Sequence, residues 1–207
     1  MSERHHKPVR MSPWRLEASE SEDDALWRLH PERQRLIASD TAALLVRSAG
    51  AESGHVLGRL KAFVDAEGLD TLAELWSHSE PGSLPRALWR LFQIRERVIQ
   101  HPSDVSYLLQ RGIDSLHTID PVVVGAEQPV TPETMAKMID EILSGTFTGN
   151  LGEALERAAS LSRLVSAGLL SDDPDVNHET ALHSLAWSDV ASELALCAKR
   201  ERNGNLR

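Results

Sequence analysis

The sequence predicts an all-α protein, a compact bundle of about eight to ten helices, with an internal duplication as an open option. Three observations carry that prediction. Apolar residues recur at helical spacing between Gly, Pro, Ser, Thr, Asp and Asn punctuation, and no run alternates over five residues beside a hairpin turn. The chain has 207 residues, is 41% hydrophobic, and carries the single cysteine Cys197. A core can therefore form without disulfides, and a cysteine-only zinc site is excluded.

Residues 1 to 24 mix charges, two prolines and an acidic SESEDD run with few apolar groups. They read as a flexible charged arm, with Trp14 and Leu16 as the groups able to pin it. Residues 25 to 203 form a single helical domain, and 204 to 207 are expected to fray. Ala25 to His30 opens a short helix. Pro31 then suits a first helical position, and Leu36, Ile37, Leu44, Leu45 and Ala49 repeat as far as Gly50. A third helix spans about Gly54 to Glu67 and stops at Gly68, where Asp70 caps the next one through Leu72, Leu75 and Trp76.

Leu84 to Gln100 is apolar on more than one face and is expected in the middle of the bundle, with Trp89 and Phe92 as anchors. His101-Pro102 ends it, Ser103 caps a helix that Gly112 terminates, and residues 120 to 125 suit either a helical turn or a strand. Thr131-Pro132-Glu133 is a strong helix start, with Gly145 as the stop. Leu151 to Leu170 reads as a long amphipathic helix. A polar stretch from Ser171 to Asn177 separates it from a last helix over about Glu179 to Arg200, with Leu182, Leu185, Ala186, Val190, Leu194 and Ala195 inward.

The formal charge is −9, which argues against a general nucleic-acid or acidic-membrane binder. The charge is unevenly spread. Residues 112 to 198 hold 14 acids against Lys137, Arg157 and Arg163, a net of −11, while 84 to 111 carry five arginines against Glu96 and Asp104, a net of +3. Within that basic stretch Arg86, Arg90 and Arg97, with Gln93 and Gln100, share one helical stripe. Two readings compete. A short helix, a Pro-Gly turn and this helix loosely resemble a helix-turn-helix DNA reader; alternatively the stripe pairs with acids such as Asp140, Glu141, Glu153 or Glu156. The turn is too long and the helix too apolar for the first reading, so the second is preferred.

Metal candidates are weak. Asp173, Asp175 and Asn177 begin like a calcium loop, but His178 stands where glycine is needed and Ser184 where the bidentate acid is needed. His178 and His183 are five residues apart, about 140° around a helix, so they cannot share a metal; Glu179 and His183 share a face, as do Glu74 and His78. Solvated helix ends explain both pairs. The Gly50 to Gly54 run places its serine wrongly for a nucleophile elbow, and the glycine-rich Gly145 to Gly152 lacks the lysine of a phosphate loop. Cys197 reads as a packed apolar residue.

Ala25 to Leu29 (ALWRL) recurs at Ala87 to Leu91, and Arg33 to Ile37 is echoed at Arg95 to Ile99, both at an offset of 62 residues. A duplicated helical unit would give this pattern, as would chance in a chain rich in Leu, Ala and Arg. The expected function is thus that of a cytoplasmic, non-enzymatic protein acting through protein contacts, as an adaptor or regulatory subunit. A homodimer is one form this could take. No cofactor and no membrane are expected, and the alternatives are a DNA-binding regulator and a helical ligand-binding or enzymatic domain.

Overall fold

A computed structural model describes residues 31–47, 58, 60, 62, 64, 65, 68–115, 131–171 and 177–207. The chain divides into two units, Met1–Gln34 and Arg35–Arg207. Only residues 31–34 of the first are described, so the architecture is that of the second unit. Its helices are α1 Pro31–Arg47, α2 Leu69–Ser77, α3 Leu84–Gln100, α4 Pro102–Ser115, α5 Pro132–Leu143, α6 Leu151–Leu170 and α7 His178–Arg202, the first of which begins at the end of the first unit. Among the described residues there is no strand. These seven fall below the expected eight to ten because Ala25 to His30 and residues 120 to 125 lie outside the described residues. Of the helix expected at 54 to 67 only 58, 60, 62, 64 and 65 are described, all helical. The arm, the first ALWRL copy and the Gly50 to Gly54 run lie outside them too.

Helix starts follow their side chains. Ser83, Thr131, Asn150 and Asn177 cap α3, α5, α6 and α7, each accepting a backbone N–H three residues on, and Thr134 completes a capping box with Thr131. Asp70, expected to cap α2, lies in its first turn instead. Gly68, at φ 86°, precedes α2 while its N–H closes the turn before it on the Val64 carbonyl at 2.8 Å.

Helix α3, expected in the middle, touches the larger number of other helices, while α6 carries the most extensive packing. Helix α6 packs most extensively on α7 and next on α4, and touches α3. Twelve of its 20 residues are buried, against eight of 17 in α3. Small residues make this possible. Ala158, Ala159, Ser160 and Ser162 are buried, and Ser166 and Ser184 exchange hydrogen bonds between α6 and α7, Ser166 Oγ to Ser184 O at 2.9 Å and Ser184 Oγ to Ser166 O at 3.1 Å. Gly112 was expected to terminate its helix, yet α4 runs on to Ser115. It is buried because a Cβ there would fall on the Leu164 carbonyl of α6, and a Cβ at Gly168 would fall on the Leu108 carbonyl of α4. The two helices touch backbone to backbone, and glycine serves contact rather than termination.

Helix α3 packs against α5, α2, α7, α4 and α6. Its core side is Ala87, Leu88, Leu91, Ile94 and Val98, with Phe92 also buried. Trp89, expected as a core anchor, is only half-buried. Among the described residues the fully enclosed tryptophan is Trp76 of α2, 0% exposed, whose indole N–H donates to Thr41 Oγ1 at 3.1 Å while Thr41 Oγ1 donates to the Ile37 carbonyl at 2.8 Å. Tertiary position decided between two tryptophans that look alike in sequence. The tail expected to fray is pinned: Leu206 is 1% exposed, the Arg207 carbonyl accepts from Leu84 N–H at 2.7 Å, and Arg47 donates to the Leu206 carbonyl at 2.7 Å. It thereby satisfies a donor in the first turn of α3, which the helix itself cannot.

On α7 the inward face is Ser184, Val190, Ala191, Leu194, Cys197 and Ala198. Leu182 and Leu185, expected inward, are 50% and 60% exposed. Close approach to α6 selects the small side chains at 184, 191 and 198 and turns the leucines out.

This packing sets the cost of two kinds of substitution. Gly168→Ala adds a methyl onto a backbone carbonyl, so it should cost about 2 kcal/mol in urea unfolding even after the gain in helix propensity. Replacement of an exposed α7 position such as Ser188 by Ala should cost nothing measurable. Trp76→Ala should cost about 3 to 5 kcal/mol and Trp89→Ala about half that or less, an order that equal losses in the two melts would refute.

Candidate functional site

A concavity of the second unit lies where α3 turns into α4. His101, with φ −137°, closes α3, and Pro102 opens α4 at once, so the two helices diverge from that corner. The first half of α7 forms the facing wall. The groove between them measures about 580 Å³. Its apolar surface comes from Trp89 and Phe92 of α3, Val105 and Leu108 of α4, Leu169 at the end of α6, and Trp187 and Val190 of α7. Trp89 and Phe92 stack with ring centroids 5.8 Å apart and planes 19° from parallel, which fixes their orientation. Polar groups rim it: Arg90, Gln93, Glu96, Arg97 and Gln100 along α3, His101 and Asp104 at the corner, and His183 on α7.

The arginine stripe is divided by one carboxylate. Glu193 of α7 accepts from Arg90 Nη2 at 2.8 Å and Arg90 Nε at 2.9 Å, and from Arg86 Nε at 3.1 Å. The Arg90 contact is a two-pronged fork of the kind guanidinium makes best. Arg86 also donates to the Ser77 carbonyl at 2.6 Å, and Arg90 to Gln93 Oε1 at 2.9 Å. These hydrogen bonds, from Arg90 first and then Arg86, hold the Glu193 carboxyl down at about 2, against the opposing effect of burial. Thus Arg86 and Arg90 do pair with the acidic half of the chain, but with none of the four acids expected. Asp140 takes Arg95, and Glu156 takes Arg163 and Arg202. Glu193 was missed because its register on α7 depends on which face α7 buries. Arg97, the third member, is exposed and makes no ion pair among the described residues.

Two of the four weak metal candidates are described. Asp173 and Asp175 lie outside the described residues, Glu179 and His183 are both exposed on α7, and among the described residues no three His, Cys, Asp or Glu side chains gather. His78 Nδ1 contacts the Glu74 backbone carbonyl at 3.1 Å and Ser77 Oγ at 3.0 Å, a helix-end arrangement rather than half of a metal site. In the glycine-rich loop the amides of Thr146 and Phe147 both donate to the Glu141 carbonyl, so they are not free to cradle an anion. A smaller hollow of about 300 Å³ between α5 and α6 sets Lys137 and Arg157 against Glu141 and Glu153 and carries no net charge. Cys197 is buried, and that burial pushes its thiol up to about 11, outside the range of a reactive thiolate.

No protein-family model, no curated protein and no solved structure matches this chain. Among the described residues no helix is long and apolar enough to cross a membrane. The residues that the sequence left unassigned and the structure brings together are Trp187, Leu169 and Val105. The signal for Trp187 was present, since apolar residues on α7 cover more than one face.

The clamp makes a pH prediction. Glu193 lies below its ordinary value of 4.5 in the folded chain, so its stabilisation is fully present above about pH 4.5 and is lost as pH falls from there towards 2. With the side chain 20% exposed, Glu193→Gln should cost about 2 kcal/mol at pH 7. The gap from wild type should close by pH 2 in denaturant titrations; a gap independent of pH would contradict the clamp.

Proposed function

We propose that this protein acts through protein contacts, as an adaptor or regulatory subunit, and that the groove between α3, α4 and α7 receives an amphipathic segment of its partner. The observation that carries the reading is the pair of half-buried tryptophans, Trp89 and Trp187, facing one open groove with a polar rim. Aromatic anchors partly desolvated in a concavity are where binding energy concentrates, and the surrounding polar rim excludes water and sets orientation. Leu182 and Leu185 on the same turns of α7 are exposed but lie outside the groove's lining. Recognition of a helix in a groove needs apolar sites at one-turn intervals, and Trp187 and Val190 on one wall, with Trp89 and Phe92 on the other, offer that spacing.

DNA reading is less well supported. It asks Arg86, Arg90 and Arg97 to meet phosphates, whereas two of these guanidinium groups are engaged by Glu193 and the helix that carries them buries its other side in the core.

Site-specific photo-crosslinking in the native cell tests the docking reading. A benzophenone side chain at Ala186, exposed and lining the groove, should capture a protein that the same group at exposed Asp114 does not. Equal capture at both positions, or only low-mass adducts at Ala186, would turn the reading towards nonspecific contact or a small ligand respectively.

A further inference from the structure

We infer that the smaller hollow between α5 and α6 binds a small zwitterion, a free α-amino acid with an apolar side chain. The hollow measures about 300 Å³, the size at which pockets for small ligands begin, and it shares no lining residue with the groove. Four charged side chains line it, Lys137 and Glu141 of α5 and Glu153 and Arg157 of α6. On each helix the acid and the base stand four residues apart, the spacing at which such pairs close along a helix face. Neither pair closes. None of the four side chains makes an ion pair among the described residues, and there Arg157 Nε is the one buried side-chain nitrogen or oxygen without a hydrogen-bond partner. A buried donor left in this way is satisfied when an acceptor enters the hollow.

Chain order sorts the charges into two poles. Glu141 and Glu153 stand in the turns that adjoin the connecting loop, residues 144–150, while Lys137 and Arg157 stand one turn farther from it along their own helices. One turn is about 5.4 Å of rise. The hollow is thus neutral as a whole, acidic at the loop end and basic beyond it. An anion entering it meets two carboxylates and a cation meets two bases, whereas a molecule that carries both charges close together finds a partner for each. Its carboxylate is received by the Arg157 fork and by Lys137, and its ammonium by Glu141 and Glu153. Phe147 and Met138 supply an apolar side, both half-buried against the core. The Phe147 ring rests on the loop backbone at Gly149, where a Cβ would fall 2.7 Å from the ring's Cζ. That surface selects an apolar side chain on the ligand.

The test is thermal unfolding of the full chain with each of the common free α-amino acids at about 10 mM, followed by calorimetric titration of those that raise the midpoint. An apolar one such as leucine or phenylalanine should raise it. Its N-acetyl and primary-amide forms should not, since each lacks one of the two charges. Arg157→Gln and Glu153→Gln should each weaken binding by about tenfold, and Ser188→Ala, on exposed α7 surface, should leave it unchanged. Glu153 is exposed, so its replacement tests the site even where Arg157→Gln lowers the melting midpoint of the free chain. Absence of a midpoint rise with every amino acid, equal binding of the blocked forms, or binding indifferent to Glu153→Gln would each overturn the inference. The docking reading, which concerns the other cavity, stands or falls separately.

Discussion

The backbone contact between α4 and α6 is the constraint on which the rest of the unit depends. Gly112 and Gly168 each occupy a place where a side chain would strike the other helix's main chain. Interiors are close-packed and yield little, so such a contact fixes the crossing of the two helices far more tightly than interdigitating leucines would. Its consequence reaches the surface. Leu108, whose carbonyl lies over Gly168, and Leu169, the next residue along α6, both line the groove. The depth of that groove is set by two glycines that do not touch it.

Helix α7 is held by two devices of different character. Along α6 it is drawn in by small side chains and the reciprocal Ser166 and Ser184 hydrogen bonds, which satisfy polar groups that burial would otherwise leave unpaired. Against α3 it is held by Glu193, which clasps two arginines. The second device is electrostatic and directional, and it acts one turn beyond the groove-lining Val190. It keeps the two tryptophan-bearing walls in register while removing from the surface two of the charges that give residues 84 to 111 their basic character.

Helix class, most helix ends and the central apolar runs were legible in the sequence because they depend on local chemistry. Thr131-Pro132, Asn150 and Gly68 act within one turn of themselves, and their roles can be read without knowing the fold. What could not be read depends on pairs of elements. Gly112 has the composition of a helix stop, and only the neighbouring carbonyl of Leu164 explains why the helix continues through it. Leu182 and Leu185 look like core positions until the small residues of α6 claim the other face of α7. Glu193 is one acid among 14 in its half of the chain, and nothing local distinguishes it. The groove joins α3, α4, α6 and α7, so no single segment could announce it.

Stability rests on the wholly enclosed residues more than on those that line the groove, and the difference follows from burial. Trp76, Leu88, Leu155, Leu161 and Leu194 are wholly enclosed, and a change at any of them removes core contacts or leaves a void. Trp89 and Trp187 already keep part of their surface in water, so truncating them forfeits less of the fold while removing the groove's apolar floor. Arg97 makes no ion pair within the described part of the fold and stands over that floor. A residue whose replacement the core does not register, at a position where a complementary charge would be partly shielded from solvent, affects an encounter more than a folding equilibrium. Changes along the rim of α3 therefore leave undisturbed the glycine and serine contacts that hold α4, α6 and α7 together.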